Sequence, residues 1–334
     1  MRQETLDLPL ALPLRRRAAP WLAAAVLLLV ALPFAGLAGY ALKVAIMALV
    51  FAMLATSLNL IYGFTGLLSF AQIAFWGIGG YTAALLAVDA HWSPWLGVLA
   101  GGGVAALASL VIGYASLRLS RHSFAIVTLS LVLLMQLVAK DWVDLTRGPL
   151  GIPNLPSLEL ALPGLGRVSS AEPRVFYFIL LAFAALALAG VHRLVASRIG
   201  RTLLAIKQNE PLTQSQGVET LRYKLLAFAV SALIAGMTGG FFVFYLSVVD
   251  PSIFDFFYTQ MILIMVIIGG AGSFWGVIAA SLVFTVVPEW LRLSPDLRLV
   301  LLGCVLVAAI LALPQGFAGY FRERRLERIR RTLR

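Results

Sequence analysis

The chain has 334 residues, of which 61% are hydrophobic and 12% are charged, and its formal net charge is +11 at pH 7. A soluble domain is typically about 45–50% apolar, so this composition excludes an ordinary soluble protein and indicates many membrane spans. The single cysteine excludes an intrachain disulfide.

Uncharged runs alternate with charged clusters along the chain, and a run of about 20 apolar helical residues suffices to cross a bilayer. The basic segment 1–20 resembles the start of a signal peptide, but further spans follow directly, which favours an uncleaved first span. Spans are predicted at about residues 21–39, 42–62, 67–88, 94–117, 123–139, 175–191, 225–249, 256–270, 275–291 and 297–313. The predicted fold class is an all-α integral membrane protein of about ten transmembrane helices, with its membrane domain over 21–317.

The basic residues predict the orientation of these spans. With the N-terminus inside and ten spans, 19 of the 26 Lys and Arg lie on the inner side, in the N-terminus, at Arg118 and Arg121, in loop 192–224 and in tail 318–334. This distribution predicts that both termini are cytoplasmic. The charge is therefore explained by the inner membrane face and its anionic lipids, and we expect no nucleic-acid partner.

Loop 192–224 is a long polar insertion between apolar blocks. Its residues 200–208 can form an amphipathic helix, which Pro211 stops because proline clashes with the preceding turn. Asn209 or Glu210 can then cap a second short helix that ends at Gly217, a residue suited to the left-handed position after a helix. We expect a helix-turn-helix at the membrane surface.

Two glycine-rich stretches, 57–81 and 268–276, interrupt the apolar runs. Irregular backbone within a membrane survives only against protein or a water-lined cavity, so these stretches favour broken helices beside a pathway. Close helix packing by small residues and hydrogen bonds between helices are the alternatives. The residues predicted to line a pathway are Asn59, Gly63, Gly66, Ser69, Gln72, Thr128, Gln136, Gly269 and Gly272.

The sequence argues against enzymatic chemistry and predicts no catalytic residue, cofactor or metal site. No predicted span carries an ionisable residue near its middle, which weakens a proton-coupled mechanism. The three histidines are isolated at span ends, and the chain contains no phosphate-binding loop of the form GxxxxGK[ST]. Energy from ATP would have to come from a partner.

Several segments together resemble the LivM-type permease subunit of branched-chain amino acid ABC importers. They are SLNLIYGFTGLLSFAQIAFWGIGGYTAALL (57–86), FAIVTLSLVLLMQLVAKDW (124–142), LTRGPLGIP (145–153), SRIGRTLLAIKQNEPLTQSQGV (197–218), RYKLLAFAVSALIAGMTGG (222–240) and MVIIGGAGSFWG (265–276). The resemblance implies a bacterial inner-membrane subunit paired with a second homologous permease, two ATP-binding subunits and an extracytoplasmic substrate-binding protein. We expect the last of these partners to dock on outer loop 140–174.

The same resemblance implies that the segment around residues 200–218 is the coupling element pressed into an ATPase. We expect Arg201 to anchor it and Ala205, Ile206 and Leu212 to present its apolar contact. The full predicted set is Gly200, Arg201, Ala205, Ile206, Asn209, Glu210, Leu212 and Gly217. Family members often carry alanines before the final glycine, whereas this chain has Gln214-Ser215-Gln216.

Two other functions remain open at this point. A urea or short-amide permease shares these motifs, since the external binding protein largely sets the substrate. A stand-alone channel or facilitator would use residues 63–69 as a pore lining, and loop 192–224 would be a solvated basic surface.

Overall fold

The computed structural model describes residues 39–162, 166–170 and 172–290, together with the isolated positions Pro33 and Gly303. Apart from those positions, the predicted spans 21–39 and 297–313 and the two predicted basic ends lie outside the described residues. The helices in chain order are α1 (Gly39–Thr65), α2 (Gln72–Val88), α3 (Pro94–Ser116), α4 (Arg121–Asp141), α5 (Val143–Thr146), α6 (Pro173–Ala196), α7 (Arg198–Gln208), α8 (Glu210–Ser215), α9 (Thr220–Leu246), α10 (Phe256–Gly269) and α11 (Phe274–Trp290).

Apolar helices occur at each span predicted between residues 42 and 291. By length and composition, α1, α3, α4, α6 and α9 can cross a membrane, while α2, α10 and α11 are shorter apolar helices. The span predicted from residue 67 begins instead at Gln72, because residues 66–70 carry no regular secondary structure. Gly66 has φ +76°, a left-handed conformation that ends α1 there.

Helix α1 is the central element of the bundle. Over its most apolar window of 18 residues, 83% are buried, compared with 28% for α4. Its sequence is apolar around the whole circumference, as expected for a helix surrounded by others. It packs against α6, α9, α10 and α11, so a displacement of α1 affects most of the molecule.

Helices α2, α3 and α9 form a second, tightly packed group through their glycines. A Cβ atom placed on Gly236 of α9 would lie 2.6 Å from Ala105 Cβ and 2.9 Å from the Gly101 carbonyl oxygen of α3. Gly79 of α2 packs in turn against the backbone of Gly236. Gly79 is therefore a packing residue, because no side chain fits between these backbones.

The connections between helices separate into two ends of the bundle. At one end, β1 (Ile152–Pro153) pairs with β4 (Val248–Val249), and β2 (Glu159–Leu162) pairs with β3 (Gly166–Ser169), both antiparallel. Arg147 forms an ion pair with Asp89 at 2.9 Å at this end. The opposite end carries α7 and α8. The predicted all-α class is thus corrected to a predominantly helical fold, since extended connecting segments satisfy their backbone groups by pairing.

Candidate functional site

Helix α7 is positioned by a tight corner at the end of α6. Ser197 Oγ donates to the Leu194 carbonyl and accepts a hydrogen bond from Ile199 N at 3.1 Å, so one side chain ends α6 and begins α7. Gly200 is buried against this corner, where an added Cβ would lie 2.6 Å from Val195 Cα. The helix thus begins two residues before the predicted start at Gly200.

Helix α8 follows after a single residue. Asn209 lies between the two helices and caps α8, because its Oδ1 accepts from Leu212 N at 3.1 Å. Pro211 lies in the first turn, where its missing N–H carries no cost. Gly217 follows the end of α8 with φ +81°, the left-handed conformation expected from the sequence.

The side chain of Lys207, in the last turn of α7, connects this loop to the bundle. Its Nζ donates to the carbonyl oxygen of Gly63 at 2.7 Å and to that of Ala271 at 3.4 Å. Its Cγ would lie 3.1 Å from a Cβ on Gly66, so the aliphatic stem packs on the turn between α1 and α2. We call the group of Lys207, Gly63, Gly66 and Ala271 the lysine junction.

Electrostatics favour a cation at the lysine junction. Gly63 lies in the last turn of α1, Ala271 lies two residues after the end of α10, and Lys207 is in the last turn of α7. The C-terminal end of a helix carries partial negative charge on its unpaired carbonyls, so an ammonium group is stabilised there. Burial opposes this effect and lowers the pKa of Lys207 below its ordinary value, since desolvation disfavours the charged form.

Asn59 joins the two glycine-rich stretches a turn away from Lys207. Its Oδ1 accepts from Gly272 N at 2.9 Å, and its Nδ2 donates to the Ser273 carbonyl at 3.3 Å. Gly272 has φ +94°, which places its N–H toward α1 without side-chain strain. Gly63 lies directly against Gly272, where an added Cβ has no room. The amide of Asn59 thus replaces the helical hydrogen bonds that are missing in the turn between α10 and α11.

Two other residues predicted to line a pathway, Gln72 and Thr128, form hydrogen bonds between elements. Gln72 is fully buried, with Nε2 donating to Ser231 Oγ of α9 at 2.9 Å and Oε1 accepting from Ser57 of α1 at 3.3 Å. Thr128 Oγ1 of α4 accepts from Phe70 N at 3.1 Å and so fixes the segment before α2. These bonds match the alternative role that the sequence left open, and a pathway role stays a prediction.

Three predicted pathway residues take other places. Ser69 Oγ accepts from Ala71 N at 3.3 Å beside the start of α2. Gly269 packs against Gly276 and Val277, so it closes the α10–α11 hairpin. Gln136 is half-buried on α4, outside the lysine junction.

A second polar contact fixes α8 to the start of α9. Glu210 forms an ion pair with Lys224, whose side chain is only 6% exposed, and accepts a hydrogen bond from Thr220 Oγ1 at 3.0 Å. Gln214 Nε2 donates to the same threonine oxygen at 2.9 Å. Glu210 therefore satisfies a buried cation of its own chain, and the loop is held to the bundle at both ends.

The outward side of α7 and α8 is partly apolar. Ala205 and Arg201 are exposed, and Leu204 and Leu212 expose 36% and 58% of their surface. The expectation that Ile206 contributes to this surface is wrong: its side chain is fully buried, because it lies one turn from Leu203 on the inward side of α7. Leu204 takes the place predicted for Ile206.

Sequence reasoning assigned no role to Lys207. A lysine in the last turn of a predicted helix is a known signal for contact with free carbonyls, but the acceptors at positions 63 and 271 are distant in sequence. Ser57 and Ser231, the partners of Gln72, were missed for the same reason.

The fold and this site together define a class of protein. It is a multi-pass membrane protein whose interrupted helices α1 and α10 are bonded to a helix of a polar loop. A family model described as "Branched-chain amino acid transport system / permease component" matches residues 40–310, and the chain belongs to that family.

Individual relatives agree with the family. The chain is 30% identical over 314 residues to the high-affinity branched-chain amino acid transport system permease protein LivM of Escherichia coli (strain K12), which covers 89% of this chain and 74% of the relative. It is 26% identical over 292 residues to the permease protein LivH of Salmonella typhimurium, covering 80% of this chain and 91% of the relative. No solved structure is significantly similar to the chain.

Proposed function

We propose that this chain is a transmembrane subunit of an ATP-driven importer for branched-chain or related hydrophobic amino acids. It pairs with a second homologous permease, two ATP-binding subunits bind on the cytoplasmic side, and an extracytoplasmic binding protein delivers the substrate. Both termini and loop 192–224 are cytoplasmic, and the membrane is the bacterial inner membrane. Family membership and the similarity to both LivM and LivH support this assignment.

The observation that carries the mechanism is the lysine junction. Lys207 connects α7 to α1 through Gly63 and to the α10–α11 turn through Ala271. Hydrogen bonds that involve a charged group are stronger than neutral ones, so a displacement of α7 is transmitted to both acceptors. Closure of an ATPase on α7 would therefore move α1, α10 and α11 together as a rigid group.

The exposed side of the loop supplies the surface for that ATPase. Ala205, Leu204 and Leu212 form an apolar patch, and the exposed Arg201 lies beside it on α7. Gly200 and Asn209 set the angles at which α7 joins α6 and α8. The Glu210–Lys224 ion pair prevents the loop from moving away from α9. A partner that binds this apolar patch would therefore displace α7 and, with it, the helices of the bundle.

The mechanism is tested with Lys207→Met in the complete importer in vesicles. Methionine keeps most of the aliphatic stem but removes the donors, so we expect leucine uptake per ATP hydrolysed to fall about tenfold, equivalent to about 1.4 kcal/mol of coupling. Lys140→Met makes the same change at an exposed residue of α4 and should leave the ratio unchanged. Elution of both variants as intact complexes in size-exclusion chromatography serves as the folding control.

Two results would contradict the proposal. An unchanged ratio in Lys207→Met would exclude the lysine junction as the point of transmission. Leucine uptake that continues with ATP hydrolysis blocked, or flux through the purified chain alone, would indicate a stand-alone facilitator.

A further inference from the structure

The bundle contains a cavity in the half that lies away from the lysine junction. Its volume is about 330 Å³, within the range of about 300–1,000 Å³ typical of small-molecule sites. Met47 of α1 lines it, 16 positions before Gly63, which corresponds to about 24 Å along the helix. Protein interiors normally pack with few voids larger than a water molecule, so a cavity of this size between helices requires an explanation.

The walls of the cavity are mainly aromatic and apolar. Trp76 lies 4.6 Å from Phe242 and 5.0 Å from Tyr258 between ring centroids, and Met261 completes the wall from α10. These rings present a surface that an aliphatic side chain can fill with dispersion contacts. The cavity is therefore suited to a small apolar group.

Polar groups in the lining are few, and Lys43 is the one cation among the described residues that form it. Trp76 is 1% exposed, and its Nε1–H has no hydrogen-bond partner among the described residues. This N–H is buried within the packed wall, so a molecule in the cavity would contact the indole ring and not this donor. Lys43, an exposed cation, also lines the cavity and would attract a carboxylate.

Three of the helices that line the cavity also meet at the lysine junction. Helices α1, α10 and α11 contribute Met47, Met261 and Thr285 to the wall, and their other ends carry or adjoin Gly63 and Ala271. A displacement at the lysine junction therefore moves these walls relative to Trp76 of α2 and Phe242 of α9, which changes the shape of the cavity. This connection is what a transport site needs and what a packing defect would lack.

We propose that this cavity is a transit site in which the aliphatic side chain of a substrate amino acid lies against Trp76 and Tyr258 while its carboxylate faces Lys43. The inference rests on the proposed function, since it takes the substrate class from there. It adds the place where this subunit itself contacts the substrate.

The test fills the cavity in the complete importer in vesicles. Met47→Trp places a larger side chain at a half-buried position of the wall and fills part of the cavity, so leucine uptake should fall tenfold or more. ATP hydrolysis stimulated by the loaded binding protein should stay within twofold of wild type, since the lysine junction is untouched. Met135→Trp makes the same change at a half-buried position of α4 outside the cavity and should leave both rates within twofold.

A second measurement does not require transport. In a Cys304→Ser background, which removes the natural cysteine, Thr285→Cys places a thiol in the wall. Leucine should slow maleimide labelling of this thiol at least threefold, whereas glycine should not. Absence of protection, or unchanged uptake in Met47→Trp, would overturn the cavity as a transit site. Absence of ATP-dependent uptake in the wild type would instead overturn the proposed function, and the labelling result would still decide the cavity.

Discussion

Two groups of glycines in this protein have different structural roles. In the α2–α3–α9 group, Gly79 and Gly236 allow helix backbones to touch, and they have ordinary helical conformations. At the helix breaks, Gly66, Gly270 and Gly272 have φ between +76° and +94°, and side-chain hydrogen bonds surround them. The first group is needed for its lack of volume and the second for its backbone freedom.

The difference shows which part of the bundle can change shape. Interlocked backbones resist sliding, because any shift creates overlap or a void. Lys207 and Asn59 donate to turn carbonyls, and Asn59 accepts from the Gly272 N–H; each of these hydrogen bonds contributes only about 0.5–3 kcal/mol, the charged ones most, so they can be exchanged. The α2–α3–α9 group is therefore a rigid support, and the breaks of α1 and α10 are the adjustable part.

The largest effect should come from breaking the rigid group. Gly236→Val would place a side chain 2.6 Å from Ala105 Cβ, so the helices must separate, and overpacking of this kind costs about 1–3 kcal/mol or more. We expect loss of the folded complex in detergent, measured by size-exclusion chromatography and thermal unfolding. Gly103→Val is the matched control, because a Cβ there meets nothing within 4 Å. Equal stability of the two variants would contradict the distinction between glycine groups.

A smaller effect is expected at the adjustable part. Asn59→Leu leaves the Gly272 N–H without its acceptor, at a cost of about 1–3 kcal/mol for a buried donor. We expect the complex to assemble but the uptake of leucine per ATP hydrolysed to fall several-fold, because α1 no longer holds the α10–α11 turn. Gln136→Leu removes an amide from a half-buried site on α4 and should preserve the ratio. If the two variants take up the same amount of leucine per ATP hydrolysed, the Asn59 hydrogen bonds have no part in transmitting movement from α7 to the α10–α11 turn.

The smallest effect is expected from a substitution that strains the backbone conformation without causing steric overlap. Gly217 has φ +81° with nothing within 4 Å of an added Cβ, so Gly217→Val introduces strain of about 1–2 kcal/mol without overlap. We expect weaker stimulation of ATP hydrolysis by transport substrate while the chain still inserts in the membrane. Gly217→Asn should behave almost as wild type, since asparagine tolerates the left-handed conformation. A defect of the same size in both variants would point to lost contact with a partner instead of strain.

Local chemistry made α7 and α8 predictable to within two residues. Asn209, Pro211 and Gly217 act on neighbours a few positions away, so their spacing predicts the end of α7 and both ends of α8. The hydrophobic runs likewise predicted each apolar helix between residues 42 and 291. The start of α2 was missed by five residues because the apolar run continues through the non-helical segment 66–70.

The inward side of the loop was not predictable in the same way. Ile206 and Lys207 are adjacent. The sequence assigned Ile206 to a surface that faces away from the bundle and gave Lys207 no role. The structure buries Ile206 completely and directs Lys207 to Gly63, since α7 is rotated by its contacts with α1 and α6. Helical periodicity gives the relative directions of side chains but not which of them meets another element.

By itself, the sequence determined that this protein is a multi-pass membrane bundle with one polar loop of two capped helices, because hydrophobic runs and capping residues act locally. Only the tertiary structure decided that a lysine of that loop meets the ends of α1 and α10, and that the same helices enclose an aromatic cavity at their other ends. Those contacts join residues as far apart as 59 and 273, and no local pattern in the chain encodes which distant carbonyl a side chain will reach.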